Sequence, residues 1–247
     1  MKPKPYIGVT GLRTKEDVFG LASAFYELGC DRSRYTGMFG FSASFKRLDQ
    51  NSIEQRTELA SHVPRWAIPM MHYWDTDSEN FFERLNRLYT ATGMYQRNYC
   101  RAVQLNIAWP ALSEVEKVMQ TFPEMKIVLQ FPPHATKGMT IEQIAEKANS
   151  YDPFVAYALI DPSRGKGIDF GGHELEMLCK VAEAMPTTRM GIAGGLGPDN
   201  VEDKIHKTVQ QFKEDFCIDA QGKLKENKKF IMQRAIDYIK NAASILF

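Results

Sequence analysis

The chain has 247 residues, of which 44% are apolar and 25% charged, a composition that is usual for a soluble globular protein. Its 31 Lys and Arg against 30 Asp and Glu leave a formal charge of +1, without the basic excess that nucleic acids and anionic membranes select. No apolar run reaches the roughly 18 residues of a membrane span, and no apolar signal-peptide core follows the basic start Met1–Pro5. We therefore expect a cytoplasmic protein that binds neither nucleic acid nor membrane.

Short apolar runs alternate with longer segments of helical period along the chain. The predicted strands are Tyr6–Thr10, Tyr35–Phe41, Trp66–His72, Ala102–Asn106, Lys126–Gln130, Val155–Asp161, Arg189–Ala193 and Phe216–Ala220. The predicted helices are Thr14–Leu28, Ile53–Ser61, Asn80–Tyr89, Leu112–Met119, Thr140–Ala148, Glu174–Ala184, Asn200–Phe212 and Lys229–Leu246. The first helix begins with the spacing of a capping box at Thr14 and Asp17. Gly37 and Gly40 lower the strand propensity of the second unit, which we expect to be the weakest strand.

Eight strand-then-helix units without a linker predict an α/β fold, a single (β/α)8 TIM barrel over residues 1–247. An open doubly wound sheet is the competing architecture, but the first strand lacks the GxGxxG fingerprint of dinucleotide-binding sheets. The four cysteines lie far apart and form no CxxC pair, so we expect buried, reduced thiols. The histidines show no HxxxH or HExxH spacing, and we predict no metal site and no cofactor.

A barrel of this kind places its functional groups where the strands end and the following loops begin. The residues at these predicted positions are Thr10, His72, Asn106, Gln130, Asp161, Ala193 and Asp219. A purely structural barrel would show more aliphatic residues there, so the polarity predicts a site at this end.

The segment Gly191–Asp199 after the seventh strand is the sharpest local signal. Its glycines, Gly194 and Gly195 among them, let backbone N–H groups approach a phosphate, and the following helix adds a favourable field with Asp199 or Asn200 as cap. Gly222 after the eighth strand offers a second turn, and barrels often hold phosphate between these two loops. The alternative is that the glycines only form tight turns.

Three other places offer reactive or charged groups. Asp161 is a candidate general acid or base, followed by a Gly-Lys-Gly segment that brings Arg164 or Lys166 near an anion, although a solvated turn explains the same residues. His72 is either a proton carrier or a packed structural histidine. Lys46 and Arg47 either meet a substrate carboxylate or form a solvated charge pair.

These motifs resemble the phosphoribosylanthranilate isomerase family of ribulose-phosphate-binding barrels. Gly8–Leu12 is similar to the family's first strand and turn, and Val103–Asn106 resembles its V-Q-L-H strand. Asp161 with Gly165 and Gly167 resembles its L-D…G-G-x-G-K segment. The most specific match is Ala193–Val201, which is similar to S/A-G-G-L-x-P-E-N-V.

The resemblance implies an Amadori isomerisation of a phosphorylated aminoaldose to an aminoketose. It implies Asp161 as the acid that protonates the ring oxygen, and phosphate-binding roles for Gly165, Gly167, Gly194, Gly195 and Gly222. Gln104, Asn106, Gln130, Asp219 and Arg47 are the expected substrate-binding residues, Arg47 with a one-residue offset from the family's carboxylate-holding arginine. The family's catalytic cysteine is replaced by Thr10 and its strand-four histidine by Asn106. Thr10 occupies the catalytic position, and His72 or Asp219 is the hypothetical replacement base.

Two other functions stay open. One is a phosphate-ligand-binding barrel without isomerase activity, which the loss of the cysteine favours. The other is a related phosphosugar enzyme with different chemistry, although Lys126 lies at the wrong end of its strand for a Schiff-base aldolase. The expected partner is a phosphorylated small molecule, and the chain is a monomer or homodimer.

Overall fold

The computed structural model describes residues 1–162 and 171–247 as a closed barrel of eight parallel strands in the order β1 to β8, with β8 pairing β1. The strands are β1 (Tyr6–Thr10), β2 (Thr36–Ser44), β3 (Ile68–Trp74), β4 (Ala102–Asn106), β5 (Lys126–Phe131), β6 (Tyr157–Ile160), β7 (Arg189–Ala193) and β8 (Cys217–Ala220). The predicted TIM barrel is confirmed, and the open sheet is excluded.

The helices surround this barrel and follow the strands in turn. They are α1 (Lys15–Glu27), α2 (Gln50–Ser61), α3 (Phe82–Thr90), α4 (Leu112–Thr121), α5 (Pro133–Thr136), α6 (Ile141–Asn149), α7 (Gly172–Ala184), α8 (Val201–Gln211) and α9 (Met232–Leu246). Within the described ranges, none of these helices has the length and apolarity that a membrane span requires.

The apolar residues form two separate cores, as the geometry of a barrel requires. The larger core fills the layer between the strands and the helices, with residues such as Phe25, Leu105 and Ile239 fully buried. The smaller core fills the barrel interior and contains Tyr6, Met38, Met70, Val128, Tyr157, Leu159 and Cys217. Strand residues alternate between the two, because successive side chains on a strand point to opposite faces.

The second strand is the longest of the barrel, with nine residues, so the expectation of a weak strand was wrong. Its glycines are required by their neighbours. A Cβ at Gly37 would lie 2.8 Å from the ring of Phe25 on α1. A Cβ at Gly40 would collide with Thr10 Oγ1 and lie 2.8 Å from His72 Nε2. The strand therefore gives up side-chain packing at two positions to let neighbouring elements approach.

Local features of the chain were predicted with mixed success. The capping box of α1 is present, since Thr14 accepts from the Asp17 backbone N–H and Asp17 accepts from that of Thr14. Asn200 is the N-cap residue of α8, as predicted, but its side chain makes no cap hydrogen bond, and Asp199 pairs with Arg234. The four cysteines are free, three of them buried and Cys179 partly exposed. Sequence periodicity did not predict α5 or the hairpin formed by β9 (Lys225–Glu226) and β10 (Lys229–Phe230).

Candidate active site

A cavity of about 590 Å³ opens at the carboxyl ends of the strands. Of the expected site residues, the structure gathers nine around it: His72, Gln104, Asn106, Gln130, Asp161, Gly194, Gly195, Asp219 and Gly222. They come from six different strands and the loops that follow them, as expected for a barrel site. The strand ends therefore converge on one enclosed volume of the size that small-molecule ligands occupy.

The glycine loop after β7 forms one side of this cavity. Gly194 and Gly195 have φ angles of +86° and +66°, a region that glycine enters without strain. Asn200 holds the loop in shape, because its amide donates to the Gly195 carbonyl and its Oδ1 accepts from the Gly197 backbone N–H. The Asn200 side chain thus fixes this turn and does not cap the helix. Gly222 begins a short 3₁₀ turn after β8 on the same side.

A ladder of amide side chains crosses the floor from β4 to β6. Gln104 Nε2 donates to Asn106 Oδ1 over 2.8 Å and to Gln130 Oε1 over 3.4 Å. Gln130 Nε2 in turn donates to Asp161 Oδ2 at 2.5 Å. The amide group of Gln130 thus faces Asp161, and its oxygen faces Gln104. The ladder therefore orients the Asp161 carboxyl group toward the cavity floor.

A second polar group lies at the junction of β8, β1 and β3. Thr10 Oγ1 donates to Asp219 Oδ1 over 3.0 Å and lies 3.1 Å from His72 Nε2. Burial raises the pKa of Asp219 to about 7, and the nearby charge of Asp161 adds to this effect. Burial also lowers the pKa of His72 to about 3, so the imidazole is neutral at physiological pH. Asp219 thus titrates in the range where a carboxyl group serves as a proton carrier.

The wall opposite the glycine loop is aromatic. Trp74 ends β3, lines the cavity and is 41% exposed. Phe45 packs against it with ring centroids 5.4 Å apart, and Lys46 Nζ lies 5.7 Å from the Trp74 centroid. The next residue, Asp75, is buried and accepts from Tyr73 Oη and Arg84 Nε. This wall offers a flat apolar face beside a cation.

Thr10 and Arg47 are expected site residues that do not line the cavity. Thr10 is 1% exposed and contacts the cavity only through its partners. Arg47 is exposed on a short 3₁₀ turn and is not among the residues that line the cavity. Its strand runs three residues further than expected, to Ser44, and this moves the basic pair outward. Gly165 and Gly167 lie outside the described residues, as do Arg164 and Lys166.

Several lining residues were not proposed from the sequence, among them Trp74, Asp75, Ser78 and Gln221. Trp74 was detectable in principle, because it follows His72 by two residues and so lies on the same face of β3. His134 lines the cavity from α5. Across residues 1–162 and 171–247, no group of three His, Cys, Asp or Glu side chains is arranged to hold a metal ion.

The sequence matches no protein-family model and no curated protein sequence. The fold, by contrast, is similar to solved structures of phosphoribosylanthranilate isomerase. The Thermotoga maritima enzyme superposes with a TM-score of 0.67 at 15% identity, covering 99% of this chain and 100% of that one. TrpF from Jonesia denitrificans gives 0.67 at 17% identity, covering 98% and 100%.

A third structure of the enzyme, in complex with reduced 1-(o-carboxyphenylamino)-1-deoxyribulose 5-phosphate, gives a TM-score of 0.65 at 16% identity and covers 98% and 100% of the two chains. The resemblance to this family is therefore confirmed at the level of the whole barrel fold.

Proposed function

We propose that this chain is an aldose–ketose isomerase that acts on a phosphorylated sugar carrying an amine-linked group, with Asp161 and Asp219 as its acid and base. The observation that carries the proposal is the pair of carboxyl groups at the ends of β6 and β8, on either side of the glycine loop after β7. Asp161 raises the pKa of Asp219, so the two charges sense one another. Asp219 binds and releases a proton near neutral pH, the property that a proton carrier requires.

The reaction needs only these two groups and keeps its atoms in balance. Asp161 donates a proton to the ring oxygen as the C1–O bond breaks and a C1=N iminium forms. Asp219 removes the C2 proton, and that electron pair forms the C1=C2 bond while the iminium π electrons return to nitrogen. Asp219 then gives its proton to C1 while Asp161 takes the proton of the enol hydroxyl, which forms the ketone and restores both carboxyl groups. Asp219 replaces the cysteine that the isomerase family uses.

The rest of the cavity suits the other parts of such a substrate. Backbone N–H groups around Gly194, Gly195 and Gly222 are available for a phosphate, as loops after strands seven and eight often are. The ladder of Gln104, Asn106 and Gln130 offers donors and acceptors for sugar hydroxyl groups. Trp74 gives a planar group a surface to stack on. The ligand of the similar enzyme has a phosphate, a hydroxylated chain and an aryl group.

A phosphate-binding barrel without turnover is the second candidate. It is favoured by Thr10, which stands at the cysteine position but is buried and points to Asp219 instead of the cavity. In that case the carboxyl pair would recognise a ligand without changing it.

Ligand binding tests the phosphate half of the proposal. We expect the reduced aminoketose phosphate and ribose 5-phosphate to stabilise the chain, by about 2.7 kcal/mol at 100 times the dissociation constant. Gly195→Asp places a carboxylate in the loop and should abolish the stabilisation. Gly29→Asp is the matched control, since Gly29 has a similar φ of +74° and open space around it. Unchanged binding in Gly195→Asp would remove the phosphate assignment.

Turnover tests the carboxyl pair. We expect Asp161→Asn and Asp219→Asn each to lower kcat by roughly 100-fold or more while ligand binding persists, the usual loss for an acid–base group. In the unmodified chain kcat/KM should fall as the pH drops below about 7, because a protonated Asp219 cannot remove the C2 proton. Binding without measurable turnover in the unmodified chain would favour the binding barrel.

A further inference from the structure

Asp219, Thr10 and His72 form a continuous hydrogen-bonded string across three strands. Thr10 donates to Asp219 Oδ1 over 3.0 Å, and His72 Nε2 lies 3.1 Å from the same hydroxyl oxygen. A hydroxyl group has one hydrogen, and here the carboxylate receives it. Thr10 must therefore accept from His72, and the imidazole carries its hydrogen on Nε2 while Asp219 is ionised.

The other ring nitrogen of His72 is the far end of this string. Within residues 1–162 and 171–247, His72 Nδ1 has no hydrogen-bond partner, and the side chain lines the cavity. A neutral imidazole with hydrogen on Nε2 has an acceptor lone pair on Nδ1. Burial lowers the pKa of His72 to about 3, so the ring changes tautomer without gaining charge near neutral pH.

Gly40 on β2 makes the string possible. The strand passes between β1 and β3, and any side chain at this position would occupy the space where Thr10 Oγ1 and His72 Nε2 meet. A strand glycine with no side chain to pack often marks such a close approach. The same strand has a second glycine, Gly37, whose missing side chain makes room for Phe25 on α1 instead.

We propose that the string is a proton relay between the cavity and Asp219, with His72 as its cavity end and Thr10 as its bridge. A hydronium ion in the cavity gives a proton to His72 Nδ1 and leaves a water molecule. The Nε2 hydrogen passes to Thr10 Oγ1, and the Thr10 hydrogen passes to Asp219 Oδ1. Three bonds to hydrogen form and three break, so one proton reaches Asp219 and the neutral ring ends with its hydrogen on Nδ1.

The use of this relay rests on the proposed function. Asp219 gains and loses a proton in each turnover, and at 7% exposure it has little direct contact with water. The relay loads and empties Asp219 through a different side chain while a substrate covers the carboxyl group. Thr10 and His72 then act as positioning and proton-carrying residues, and Thr10 needs no basicity of its own.

The other titratable groups around Asp219 are Asp161 on β6, Tyr6 on β1, Cys217 on β8 and Tyr238 on α9. Burial raises the pKa of Tyr6, Tyr238 and the Cys217 thiol, so these three stay neutral near pH 7. Asp161 is the remaining neighbour, and its charge raises the pKa of Asp219. Changing Asp161 therefore moves the midpoint of the relay without breaking it.

The test is ¹⁵N NMR of His72 in the full chain between pH 5 and 9, with the Asp219 carboxyl followed by ¹³C. We expect hydrogen on Nε2 above pH 7. As Asp219 gains its proton, the ratio of Nδ1–H to Nε2–H should rise by about tenfold or more, with the same midpoint. A tautomer ratio that does not change as Asp219 ionises overturns the proposed relay.

Variants separate the relay from simple packing. Thr10→Val keeps the shape, removes the hydroxyl and should make the tautomer ratio independent of pH, whereas Thr10→Ser should restore the response. Gly40→Ala should abolish the response, whereas Gly37→Ala should not, because its Cβ would lie 2.8 Å from the Phe25 ring, outside the string. Asp161→Asn should keep the response at a lower midpoint. Should Thr10→Val or Gly40→Ala fail to fold, Asp219→Asn serves as the second test, with a ratio fixed at all pH values. A response that persists in Asp219→Asn or Thr10→Val contradicts the proposal.

These measurements use no substrate, so they test the relay independently of the isomerase activity. A pH-dependent tautomer without turnover would leave the relay and remove the isomerase. If turnover requires Asp219 but the tautomer of His72 does not change with pH, the isomerase would stand and the relay would be removed. In an active enzyme, Thr10→Val should lower kcat by roughly tenfold with little change in KM, and Thr10→Ser should recover most of it.

Discussion

The barrel interior has two layers that differ completely in chemistry although they are two residues apart on each strand. The lower layer is apolar and the upper layer polar, as five strands show in the pairs Met70 and His72, Ala102 and Gln104, Val128 and Gln130, Leu159 and Asp161, and Cys217 and Asp219. A strand rises about 3.3 Å per residue, so the layers are separated by roughly 7 Å. The change from stable core to reactive site takes one step of the strand period.

The lower layer also determines the properties of the upper one. Side chains such as Tyr157, Leu159 and Cys217 exclude water from below, and burial is the main cause of the raised pKa of Asp219 and the lowered pKa of His72. The same surroundings thus shift the pKa values of the two groups in opposite directions, because burial disfavours whichever form carries the charge. The stability of the lower layer and the reactivity of the upper layer therefore have a common origin.

Removing a large side chain from the lower layer should have the largest effect on stability. Tyr157 is fully buried, packs edge-to-face on Tyr6 at 5.1 Å and donates its hydroxyl to the Lys4 carbonyl. Tyr157→Ala should lower the free energy of unfolding by about 4–6 kcal/mol, from the cavity and the lost hydrogen bond together. Urea denaturation measures this loss. Tyr157→Phe is the control and should lose only about 1 kcal/mol; equal losses would mean that the lower layer is not tightly packed.

Asp219 should have the opposite effect, since it destabilises the fold when ionised. Its folded pKa is raised from 3.8 to about 7, so the native state binds more protons than the unfolded chain between these values. Stability is therefore lost as pH rises through this window. Asp219→Asn should gain up to about 4 kcal/mol over the unmodified chain at pH 8.5, and little of that at pH 4. A difference that does not vary with pH would show that Asp219 titrates normally.

His72 should show the reverse dependence. Its folded pKa is lowered from 6.5 to about 3, so the unfolded chain binds more protons in between and stability is lost as pH falls through this window. His72→Gln removes that loss and should gain about 2 kcal/mol relative to the unmodified chain between pH 7.5 and pH 5. Unfolding of both variants across one pH series tests the pair, because their difference curves must slope in opposite directions.

The layers were predictable from the sequence as far as they depend on the period of a strand. His72, Gln130 and Asp219 were found because each stands at the end of an apolar run. The hydrogen bonds between side chains of different strands were not predictable, since they depend on the register of the strands and on the space that small residues leave. The contact from Thr10 to His72 exists only because Gly40 leaves room between them, and as a sequence feature that glycine suggested a weak strand.

The positions of loop residues could be predicted from the sequence only to the same extent. The glycines after β7 were found from the motif, whereas Arg47 was expected to face the substrate and is exposed on the turn after β2. Three more residues of strand, up to Ser44, decide where that turn begins, and propensity does not fix strand ends to this accuracy. The extension of β3 by two residues, to Trp74, was missed for the same reason.

The smallest effect is expected at the rim, where water weakens every contact. Lys46 Nζ lies 5.6 Å and 5.7 Å from the ring centroids of Phe45 and Trp74, and exposed cation–π contacts contribute about 0.5–1 kcal/mol. Lys46→Ala should therefore change the free energy of unfolding by no more than this amount, and Lys46→Arg should retain it. If an anionic aryl ligand stacks on Trp74, the same substitution should weaken its binding more than it weakens the fold, because the ligand excludes water from the cation. A rim substitution that costs as much stability as Tyr157→Ala would mean that the aromatic wall belongs to the core. An effect on binding alone would place the rim, with the polar layer, on the side of the molecule that meets the ligand.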